Sequence, residues 1–103
     1  MPHFRDIDGR NWRIAFDKRS IDELQRAGLL AVASDRAFFE SLKDAEKIGI
    51  VLYCLCRAQI EARGMSPEKF ALAVAPVLDE ATDAVIAAHS KLMQQFQKEQ
   101  ANG

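Results

Sequence analysis

The sequence predicts a mainly α fold, with an N-terminal β-hairpin followed by a bundle of four to five helices. Three observations carry that prediction. Residues 4–16 alternate apolar and polar around Asp8-Gly9, a dipeptide that suits a hairpin turn. Apolar residues then recur at helical spacing from Ile21 to Phe96. Cap residues punctuate that stretch at Ser20, Asp44 and Ser66. The chain has 103 residues, which suits one domain, and a chain of this size buries about 65% of its extended surface on folding.

The hairpin draws its apolar residues from Phe4, Ile7, Trp12, Ile14 and Phe16. Trp12, Ile14 and Phe16 alternate with Arg13 and Ala15, so one strand face is expected to be buried. An isolated hairpin is marginal in water, so this one must lie on the helices. Ser20-Ile21-Asp22-Glu23 matches a capping box and predicts a helix start at Ser20. Ile21, Leu24 and Leu29 form its stripe, and Gly28 weakens its end near residue 31. Ser34 or Asp35 opens a short helix with Phe38, Phe39 and Leu42.

Asp44 caps a third helix with the stripe Ile48, Val51, Leu52, Leu55 and Ala62, widened by Ile50 and Cys54. That breadth marks it as the central helix, and Gly64 ends it. Ser66-Pro67-Glu68 starts the next helix, with Phe70, Val74 and Val77 inward. Pro76 breaks or kinks it, and Asp79 restarts it. Ala81, Val85, Ala88, Leu92 and Phe96 line a long last helix. A polar tail follows from Gln97, so the domain reads as helical over 20–98 and frayed over 99–103.

Composition excludes several function classes. Lys+Arg is 14 and Asp+Glu is 15, so no global positive field holds nucleic acid. Residues 1–20 carry five cations and three anions, and the remainder nine and twelve. The local excess lies on the hairpin, where Arg10 and Arg13 could read a DNA groove. The start Met1-Pro2-His3-Phe4-Arg5-Asp6 has no apolar leader. The apolar run from Ile48 to Cys56 is nine residues long, against about 20 needed to span a bilayer, so no membrane partner is expected.

No catalytic residue, cofactor site or metal site is expected. The glycines are scattered singly, and His3 and His89 are the only histidines. His89 is expected on the surface or partly buried. Cys54 and Cys56 point about 200° apart on a helix, so they neither bond to each other nor share an ion. Two reduced, buried and inert thiols are expected, which suits a reducing compartment. The carboxylate pairs Asp22-Glu23 and Asp79-Glu80 sit at helix starts, where the dipole favours them. Apolar residues beyond the needs of the core point to a partner. Leu92, Met93 and Phe96 are the candidate partner-binding residues.

The order of elements carries a resemblance. Phe4, Asp8-Gly9-Arg10-Asn11-Trp12-Arg13-Ile14, Ile21 and Leu24 open it. Ile50-Val51-Leu52-Tyr53-Cys54-Leu55-Cys56, Gln59 and Arg63-Gly64 continue it. Ser66-Pro67-Glu68-Lys69-Phe70 and Ala81-Thr82-Asp83-Ala84-Val85 complete it. Across nearly its whole length the chain resembles the tail assembly chaperones of long-tailed bacteriophages and prophages. The resemblance implies a non-enzymatic assembly factor in the cytoplasm of the bacterial host. It implies binding to the tape measure protein and to tail tube subunits during tail morphogenesis, and self-association through apolar helix faces. It transfers no catalytic residue. Two other readings remain open: a structural head-tail or tail component of the virion, and a small DNA-binding regulator.

Overall fold

A computed structural model describes the backbone of residues 2–31 and 35–102, and side chains as far as residue 95. It is mainly α with an N-terminal antiparallel hairpin. β1 (His3–Arg5) pairs with β2 (Asn11–Arg13), with Phe4 opposite Trp12. Five helices follow: α1 (Lys18–Arg26), α2 (Arg36–Ser41), α3 (Ala45–Ala62), α4 (Pro67–Val74) and α5 (Leu78–Asn102). A 3-10 turn, Ala75–Val77, joins α4 to α5.

The hairpin loop is organised by Asp6, not by the Asp8-Gly9 turn alone. The Asp6 side chain is buried, and its Oδ1 accepts from the backbone N–H of Asp8 and Arg10 at 2.9 and 3.0 Å. Its Oδ2 accepts from Trp12 Nε1 at 3.0 Å and from Arg10 Nη1 at 3.1 Å. Gly9 takes φ +82°, which only glycine adopts readily. Ile7, one of the hairpin's apolar residues, is turned out at the tip and is 59% exposed. Its N–H donates to the Ala73 carbonyl at 3.1 Å, which ties the tip to α4.

The sheet's inner face carries Phe4, Trp12 and Ile14, all buried. Trp12 meets Phe70 of α4 edge to face, with ring centroids 4.9 Å apart. The free edge of β2 is covered by α3. Gln59 accepts the Arg13 N–H through Oε1 and donates to the Arg13 carbonyl through Nε2. Arg63 donates to the Asn11 carbonyl at 2.8 Å and lays its guanidinium 4.5 Å from the centre of the Trp12 ring. An edge closed in this way does not template other strands.

Helix ends follow local chemistry, with two corrections. α1 starts at Lys18, not Ser20, because the Asp17 carboxylate accepts the Ser20 N–H and becomes the cap. Ser20 completes that box from the inside, and Glu23 instead joins Arg19 and Arg57. α1 ends at Arg26, five residues before the expected end. Gly28 at φ +74° lets the Leu29 N–H reach the Leu24 carbonyl and the Gly28 N–H reach that of Gln25. Gly64 ends α3 in the same way, as expected.

Asp35 takes the cap position of α2, and Ser34 lies outside the described residues. Asp44 and Ser66 cap α3 and α4 as expected. Pro76 forces the 3-10 turn, and α5 restarts at Leu78 and continues through 99–102. α3 is central, touching α1, α2, α4, α5 and β2. Its buried stripe is Ile48, Val51, Leu52, Leu55, Cys56 and Ile60. Ile60 takes the place expected of Ala62, which is exposed, and Ile50 is 44% exposed rather than core. Arg19, Glu23, Arg57 and Glu61 form a ring of ion pairs between α1 and α3. Among them the Arg19 guanidinium holds the Glu61 carboxyl below its ordinary range.

Burial alone would raise the Asp6 carboxyl, but its bonds from Trp12, Arg10 and Asp8 outweigh this and hold it below the ordinary 3.8. Its stabilising effect is present above that ordinary value and is lost as pH falls through the lower folded one. Asp6→Ala also strands the buried Trp12 N–H. It should cost about 3 kcal/mol in urea unfolding at pH 7. Asp8→Ala, which breaks one exposed ion pair, should cost about 0.5 kcal/mol or less. The gap between the two variants should close as the titration is repeated at pH 3 and below.

Candidate functional site: an apolar groove and a mixed recess

The larger opening lies between the N-terminal half of α3 and α4. It encloses about 540 Å³ and is lined mostly by apolar side chains. Phe70 and Val74 are its buried lining, and Leu52 closes it from α3. Small residues make it a groove rather than a packed seam. Ala45, Gly49, Ala71 and Ala75 line it, and a Cβ added at Gly49 would meet nothing within 4 Å. Ile50 and Tyr53 stand at its side, and Glu46 is its one charged lining residue. The opening suits the apolar side chains of a helix, with one acidic group at the margin to set orientation.

A second recess of about 390 Å³ lies between α5 and the strand that leaves the hairpin. Pro2, Ile14, Phe16 and Leu92 line it together with the polar Lys91 and Gln95. Leu92, a candidate partner residue, thus faces the hairpin and is half-buried, and Met93 beside it is half-buried too. The Phe96 side chain lies outside the described residues. The more exposed large apolar residues lie elsewhere. Leu72 on α4 is 75% exposed and Ile7 at the hairpin tip 59%, and the two are linked through the Ile7–Ala73 backbone bond. Helical spacing could not separate Ile50 from the core, because the residues that leave it bare are small ones on another helix.

The chemistry-bearing side chains are placed otherwise. His89 is almost fully buried, where a surface or partly buried position was expected. It stacks on Phe38 at 4.6 Å and meets Phe39 and Phe16 edge to face. Its Nε2 has no hydrogen-bond partner among the described residues, and Asp35 Oδ1 stands 3.6 Å away. The signal was present in Phe38-Phe39, but only the fold brings α2 against α5. Among the described residues no group of three His, Cys, Asp or Glu side chains could hold a metal ion. No described helix is long and apolar enough to cross a membrane.

Cys56 is buried and Cys54 half-buried, and both are free thiols. Burial pushes Cys54 up to about 11, with the Glu23 carboxylate adding to the rise. Burial pushes Cys56 up to about 12. The thiolate is the reactive form, so at pH 8 only about 10⁻³ or less of either thiol is reactive. Ellman's reagent at pH 8 should therefore react slowly with the native chain and rapidly with both thiols in urea. The native rate should rise with pH up to about 10.

No protein family, no curated protein and no solved structure matches this chain. What the groove and the recess bind is therefore a question for their own chemistry.

Proposed function

We propose that the chain is a non-enzymatic tail assembly chaperone of a long-tailed bacteriophage or prophage. It holds the tape measure protein, and through it the tail tube subunits, in the host cytoplasm while the tail is built. The observation that carries this reading is the open apolar groove between α3 and α4. A long helical client exposes apolar faces before assembly, and a groove of this kind covers one such face reversibly. The resemblance of the chain to that family supports the same reading. The regulator reading loses support, because Arg10 is held by Asp6 and Asp8 instead of being presented to a DNA groove.

The test is co-expression of the tagged chain with a tape measure protein of a long-tailed phage, taken from the chain's own genome, followed by affinity purification. The two should purify together. Ile50→Glu places a charge at the groove's side at an exposed position, so the fold should survive and recovery of the client should fall at least about tenfold. If the client fails to co-purify with the parent chain, or binds Ile50→Glu equally, the reading is wrong. Finding the chain in fixed stoichiometry in finished particles would favour a virion component instead.

A further inference from the structure

The outer face of the hairpin has a chemistry unlike the rest of the surface. Its outward positions are His3 and Arg5 on β1 and Asn11 and Arg13 on β2, all exposed. No anion stands among them. The register sets His3 opposite Arg13 and Arg5 opposite Asn11. Arg5 and Arg13 are thus diagonal neighbours, about 7–8 Å apart by ladder geometry. Arg63 joins them from α3. Asn11, Arg13, Gln59 and Arg63 line a shallow depression of about 420 Å³.

The pairing of the arginines separates this face from the others. Arg10, Arg19, Arg36 and Arg57 each hold a carboxylate. Among the described residues, no ion pair engages Arg5, Arg13 or Arg63. Arg26 has no such pair either, but it sits in the last turn of α1, where the helix dipole favours a cation. Part of the set is also held in place, through the Arg13 backbone and the Arg63 guanidinium. Gln59 clamps both backbone groups of Arg13, and Trp12 supports the Arg63 guanidinium from below. Less ordering of Arg63 and of the Arg13 backbone then remains to be done when a ligand arrives.

We propose that this face is a binding site for a short acidic polypeptide segment, engaged as an added layer on the hairpin. Carboxylates at alternate positions of an extended chain lie about 7 Å apart, which matches the diagonal of Arg5 and Arg13. Guanidinium groups take carboxylates in a two-pronged fashion. A long polyanion fits less well. The patch is only two strands wide, and residues 21–103 carry nine cations against twelve anions, so a nucleic acid leaving the patch meets a repelling surface. The site is separate from the α3/α4 groove and stands whether or not the chaperone reading holds.

The test uses the full chain and a fluorescein-labelled peptide of alternating glutamate and serine, read by anisotropy at low salt. The parent should bind, and binding should weaken steeply as salt is raised. Arg5→Ala with Arg13→Ala should weaken it about tenfold. Arg26→Ala should leave it within about twofold, because that cation belongs to α1 and does not line the depression. Thermal melting of each variant checks that the exposed substitutions leave the fold intact. Failure of the parent to bind, equal binding by the double variant, or an equal loss in Arg26→Ala overturns the proposal. Tighter binding of a single-stranded oligonucleotide of matched charge also overturns it, and assigns the face to nucleic acid.

Discussion

The rest of the structure depends on one buried carboxylate. Asp6 accepts two backbone amides of its own loop, the Trp12 indole N–H and the Arg10 guanidinium. A charge removed from water is costly unless its lone pairs are all met, and here four donors meet them. The consequence travels outward through Trp12. Fixed at its N–H, the ring presents its flat side to Arg63 and meets Phe70 at its edge. The first contact binds the end of α3 and the second binds α4. The hairpin is thus not an appendage on a helical bundle. It is the clamp that sets the spacing of the two helices between which the larger groove opens.

That groove exists because of what α3 and α4 lack. α3 lines the groove with Leu52, Ile50 and Tyr53, but its Ala45 and Gly49 leave the space between them unfilled. α4 answers with Ala71 and Ala75. Small residues at these positions would normally let the two helices approach more closely. Here α4 is held at one end by the Trp12–Phe70 contact and at the other by the 3-10 turn at Pro76. The proline removes an amide donor and crowds the preceding turn, so α4 cannot run straight into α5 and slide closer to α3. Space is left because closure would need a rearrangement of anchored elements.

Much of this was legible in the chain, and the failures share a cause. Helix positions, the caps Asp44 and Ser66, the break at Pro76 and the stop at Gly64 rest on local chemistry, and the structure shows each of them. Asp17 was local too, but Ser20-Ile21-Asp22-Glu23 offered a competing box, and the earlier carboxylate took the cap. Other residues were hidden because their surroundings come from other segments. Ile50 reads as core until small residues on α4 leave it bare. His89 reads as a surface or partly buried residue until α2 folds its two phenylalanines over it. Asp6 looks like one acid among several, since its role depends on an indole six residues away.

The two proposed binding surfaces share α3. The groove uses its N-terminal half, around Gly49, and the cationic face uses its C-terminal end, at Gln59 and Arg63. Gly49 and Arg63 are fourteen positions apart, which on a straight helix is about 21 Å along the axis and only about 40° around it. Both surfaces therefore open on one side of α3. A compact partner could reach only one of them. An elongated partner with an apolar helical stretch and a neighbouring acidic segment could engage both, so that each contact raises the local concentration for the other. Such coupling makes a weak groove and a weak charge patch selective together. It favours long amphipathic chains over short apolar peptides, which the groove alone cannot distinguish.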